Sequence, residues 1–140
     1  MRLLFKDQDA RGANGNFRQI FEEFRGRGYQ GNYFVGTHIN PNLVLSCSAI
    51  VFFLSPPHLI RNDSHDIEVA ASQGKRIALY DPTGARYNKK PVLKHAESVS
   101  LVLLEKPCAD FGLVLTSYPN ATICWNAIPS VMASALSELE

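Results

Sequence analysis

Between Ser48 and Asp81 the chain reads SAIVFFLSPPHLIRNDSHDIEVAASQGKRIALYD, and this stretch restricts the fold more than any other. Ala49 to Leu54 is apolar at every position and mostly β-branched or aromatic, the pattern of a central parallel strand covered on both faces. Ser55-Pro56-Pro57 stops it, since proline cannot donate to a sheet ladder. Asp63 or Ser64 can cap a following helix that runs to about Gln73, with Gly74 as its stop. Arg76 to Tyr80 is a second buried strand, ended by Asp81-Pro82-Thr83-Gly84.

The rest of the chain repeats that alternation. Arg2 to Lys6 suits a buried first strand entering the loop DQDARGANGN, where Asn14 or Asn16 can cap the next helix. In that helix Phe17, Ile20, Phe21 and Phe24 fall at i, i+3, i+4 and i+7, which is one face. Gly26 and Gly28 end it. NYFV reads as a short second strand, and Pro41 suits the first position of a short helix. Residues 85–97 suit a polar loop with a weak helix, Val99 to Leu104 a strand, Ala109–Tyr118 a helix and Ala121–Trp125 a last strand. Pro129 to Leu139 reads as a terminal helix with Val131, Met132, Ala135, Leu136 and Leu139 on one face. Strands alternating with helices predict a single α/β domain over residues 1–140, a flavodoxin-like or Rossmann-like parallel sheet with helices on both faces.

Bulk properties exclude several classes. A chain of 140 residues with 46% hydrophobic and 19% charged content can bury a core without staples. A net charge of +1 is no footprint for nucleic acid or an anionic membrane. The longest apolar run is far short of a membrane span, and the opening MRLLFKDQD breaks off too early for a signal peptide. Three cysteines without a CxxC pair read as reduced thiols, so a cytoplasmic protein is expected.

Open α/β sheets bind ligands at the carboxyl ends of their strands. Glu68 lies early in the helix that follows such an end, and its bland alternative is a helix-surface carboxylate favoured by the dipole. In the loop after the first strand, Gly12 and Gly15 allow close backbone approach, and Lys6 or Arg11 could meet phosphates. Tyr33 and Phe34 could stack on a base or sit in the core, and Trp125 and Asn126 end the last strand at the same edge. His65 reads as a surface residue. With no second His or Cys at ligand spacing, no metal site is assigned.

Leu54-Ser55-Pro56, Glu68, Gly74-Lys75 and the strand Ile77–Asp81 resemble the middle of a Toll/interleukin-1 receptor (TIR) domain. The resemblance covers about residues 48–81 and, more loosely, 2–30. It implies an enzyme that hydrolyses the nicotinamide–ribose bond of NAD, with NAD as substrate rather than cofactor, Glu68 as catalytic carboxylate and self-assembly into a homo-oligomer. Such a bond needs no general acid, because nicotinamide leaves from a cation; it needs a negative charge beside the developing oxocarbenium ion. Ser64 stands where the family often has tryptophan, and the loop after the second strand is short. Asp63 through Glu68 also resembles the motif of nucleoside 2-deoxyribosyltransferases and related nucleotide N-glycosidases, with His65 and Asp66 at small-residue positions. Both resemblances imply a nucleotide ligand near Ser55, Asp63 and Ser64. The third reading is a TIR-like module that binds a nucleotide, or another protein, without turnover.

Overall fold

The computed structural model describes residues 2–8, 10, 15–54, 60–81, 94–105, 117–126 and 128–139. Six parallel strands form one sheet: β1 (Arg2–Asp7), β2 (Gln30–Val35), β3 (Ala49–Phe53), β4 (Arg76–Asp81), β5 (Leu101–Leu104) and β6 (Thr122–Trp125). Their spatial order is β2-β1-β3-β4-β5-β6. Among the described residues four α-helices lie between or after them: α1 (Asn16–Gly26), α2 (Pro41–Ser46), α3 (Ile60–Ser72) and α4 (Pro129–Ser137). This is the flavodoxin-like arrangement expected from the alternation, extended by a sixth strand.

Because strand side chains alternate, the sheet builds two separate cores. Leu4, Ile50, Phe52, Leu54, Ile77, Leu79, Val102 and Leu104 face α2 and α3, meeting Val44, Ile67 and Ala70. Leu3, Phe5, Val51, Phe53, Ala78, Tyr80 and Leu103 face α1 and α4, meeting Phe17, Ile20, Phe24, Met132 and Leu136. Aromatic rings concentrate on this second face. Phe5 meets Phe17 and Phe21 at centroid separations of 5.3 and 5.2 Å, and Phe17 meets Phe53 edge-on at 5.4 Å. No helix among the described residues is long and apolar enough to cross a membrane.

Several local expectations need adjustment. Helix α3 begins at Ile60, so Asp63 and Ser64 lie inside it and are not its caps. Asp63 turns to Lys6, and Ser64 Oγ accepts the backbone N–H of Lys94 at 3.2 Å. Asn16 is likewise inside α1; Gly15 holds the capping position with no side-chain bond, and the Asn16 amide donates to Glu105 Oε1 at 2.8 Å. Asn40 caps α2 by accepting from the N–H of Asn42, with Pro41 in the first turn. On α4 the buried residues are Met132, Ala133 and Leu136, whereas Val131 is exposed. Only a short 3-10 turn, Ala96–Ser98, is described in the region expected to be a polar loop with a weak helix. Asn14, residues 85–93 and nearly all of the helix expected at 109–118 lie outside the described residues.

Candidate functional site at the carboxyl edge of the sheet

In this strand order the chain reverses direction of winding between β1 and β3, and such a switch point is where open α/β sheets form their binding crevice. Lys6, next to last in β1, is in register with Phe52 of β3. Its side chain is on the α3 face and fully buried, with Nζ 5.8 Å from the Phe52 ring centroid. A buried ammonium is costly unless compensated. Here two carboxylates of α3 compensate it, Asp63 Oδ1 at 3.2 Å and Asp66 Oδ2 at 3.0 Å. Both are buried, Asp66 at 3% exposure.

Helical geometry explains why these two residues converge. Asp63, Asp66, Ile67 and Ala70 stand at i, i+3, i+4 and i+7, so the face that packs Ile67 and Ala70 on the sheet carries both carboxylates to Lys6. The remaining oxygen of Asp66 faces outward. Its Oδ1 lies 3.4 Å from Nδ1 of His38, in the segment after β2. His65, beside Asp66 on α3, packs edge-on against His38 at a ring-centroid distance of 5.1 Å. The absence of a second imidazole near His65 along the chain is thus misleading, because the fold supplies one from 27 positions earlier.

Across the sheet, on the α1 face, Asp7 ends β1 and accepts the Tyr33 hydroxyl at 2.7 Å. Tyr80 donates its hydroxyl to Glu105, which also holds Asn16. Burial, reinforced by these carboxylate acceptors, raises both tyrosine pKa values above the usual range. Asp81 ends β4, also buried. The described part of the edge is therefore rich in carboxylates, with Lys6 between two of them.

Glu68 stands elsewhere. Two residues past Asp66 is about 200° around the helix, so Glu68 points away from Lys6. Its side chain is 66% exposed and approaches Nε2 of His95 at 3.6 Å. The fold thus brings Lys6 and Asp63 together and sets Ser64 against the segment before β5, but leaves Glu68 on the outer face. Arg11, Gly12 and Ser55 lie outside the described residues. The residues passed over in the sequence are His38 and Asp66; for Asp66 the i, i+3 relation to Asp63 on an apolar helix face was the available signal.

No protein-family model, curated protein or solved structure matches this chain.

Proposed function

We propose that this chain binds a nucleotide at the carboxyl edge of its sheet and cleaves the N-glycosidic bond of NAD or a related nucleotide, with Glu68 as catalytic carboxylate. What supports Glu68 is its place on α3, the helix that follows the switch-point strand, although it stands past the middle of that helix and not early in it. Its 66% exposure, away from Lys6, favours the module without turnover instead. A charge that must stabilise an oxocarbenium ion acts most strongly where water is excluded, so this role requires the bound nucleotide to cover Glu68. Asp63 and Asp66 share the Lys6 ammonium, whereas among the described residues Glu68 approaches a histidine, at 3.6 Å. Lys6, engaged by two carboxylates, is a poor phosphate contact; that role passes to Arg11.

The test is incubation of wild type and Glu68→Gln with NAD and with a panel of nucleosides and nucleotides, following released base at several protein concentrations. Nicotinamide release by wild type, lost in Glu68→Gln with the fold retained, is the expected result. Steep dependence on protein concentration would add self-assembly, and base release from nucleosides alone would move the substrate to the deoxyribosyltransferase type. Full activity in Glu68→Gln removes Glu68 from the mechanism. A second reading is favoured by the Glu68–His95 approach: a nucleotide-binding or interaction module without turnover, which predicts saturable nucleotide binding and no product.

A further inference from the structure

His38, His65 and Asp66 each present a ligand atom, and all three atoms lie within 4.8 Å of one another. We infer that these residues form a binding site for a divalent first-row transition-metal ion of the zinc class. The proposal is independent of the N-ribosyl reading, since neither Glu68 nor a nucleotide takes part in it.

The donor set is the first argument. Two imidazoles and one carboxylate suit a borderline ion such as Zn²⁺ or Co²⁺, while Mg²⁺ and Ca²⁺ prefer oxygen alone. Distance is the second. At bond lengths of about 2.0–2.1 Å, two ligands of a tetrahedral ion stand about 3.4 Å apart. His38 Nδ1 and Asp66 Oδ1 are already 3.4 Å apart. His65 closes the triangle by a side-chain rotation, for which its exposed position on α3 leaves room.

The surroundings of Asp66 are the third argument. Metal-bound carboxylates are held by outer partners that fix which oxygen coordinates. Lys6, locked in the sheet, holds Asp66 Oδ2 at 3.0 Å and so turns Oδ1 toward the imidazoles. The carboxylate is 3% exposed, whereas His38 is 52% exposed, so the site is anchored on its inner side and open on its outer side. An open outer side provides the entry path that a metal site needs. Three protein ligands also leave one tetrahedral position for water or substrate, the arrangement of reactive rather than closed structural zinc sites. Because Lys6 places a positive charge beside the carboxylate, binding is weaker than in a closed four-ligand site.

Calorimetric titration of the full chain with Zn²⁺ tests this, using His38→Ala and His65→Ala, with His95→Ala as an imidazole outside the cluster. All three side chains are at least partly exposed, so these variants keep the fold. One saturable site in wild type, weakened at least about tenfold in His38→Ala and in His65→Ala and unchanged in His95→Ala, is the expected outcome. Replacement by Co²⁺ should then give visible absorption without a thiolate charge-transfer band, separating this site from Cys47 and Cys124. No saturable binding overturns the proposal. So does binding that survives either cluster variant, is lost in His95→Ala, or carries the thiolate band.

Discussion

At the scale of single residues, the decisive group is Lys6. It is a cation at the end of an otherwise apolar strand, and only its partners on α3 make that position tolerable. Lys6→Met keeps the length and packing of the side chain but strips the cation from two buried carboxylates. The expected cost is about 3–5 kcal/mol, read as a lowered urea midpoint, and adding Asp63→Asn and Asp66→Asn should restore a good part of it. A neutral Lys6→Met would mean that the three charges do not depend on one another. Asp66 also shows how a resemblance can favour the neighbouring acid. By motif it occupies a small-residue position and Glu68 draws the attention; by helical angle it is Asp66 that looks toward the strand ends.

At the scale of elements, helix faces decide which apolar residues matter. The pattern of α1 is unambiguous, because four apolar residues fall on one stripe, and all four are buried. The short α4 is nearly all apolar or small, so its periodicity allows more than one face to be chosen. Its docking on α1 picks the face, with Arg27 donating to Ser134 Oγ and to the Ser130 carbonyl, each at 2.7 Å. Met132, Ala133 and Leu136 go inward and Val131 outward. Leu136→Ala should therefore cost about 2–5 kcal/mol, and Val131→Ser no more than about 0.5 kcal/mol, by chemical denaturation. Equal costs for the two would mean that α4 is rotated from this face.

At the scale of the whole molecule, the sheet separates two chemistries. The α3 face carries the buried ion pairs and imidazoles of the switch point, and the α1 face carries the Tyr33–Asp7 and Tyr80–Glu105 bonds. Both tyrosines hold their protons more tightly when folded, through burial first and carboxylate acceptors second. Their contribution to stability is complete below the ordinary tyrosine value of 10.0. Above it the unfolded chain ionises while the folded chain does not, so stability falls as pH rises past about 10. Tyr33→Phe with Tyr80→Phe should flatten this alkaline loss, measured as urea midpoints on either side of that pH. An unchanged slope in the double variant would assign the loss to other groups.

The linear chain determined the class of fold and most of its parts. A continuous apolar strand such as Ala49–Phe53 can be satisfied only between two layers, and Phe17, Ile20, Phe21 and Phe24 can share only one helix face. Pro41 at the start of α2 and the glycine stops at Gly28 and Gly74, both at positive φ, are local and so were legible too, whereas the cap at Asn40 was not read. The tertiary structure alone decided the site. Lys6 and Asp63 are 57 positions apart in sequence, and His38 meets Asp66 from a different connection of the sheet. Such meetings depend on strand order and on the angle at which α3 crosses the sheet, neither of which leaves a periodic trace. The same rotation of α3 that buries Ile67 turns Asp66 inward and Glu68 outward, because one apolar face must be covered and a helix side chain cannot choose its direction independently.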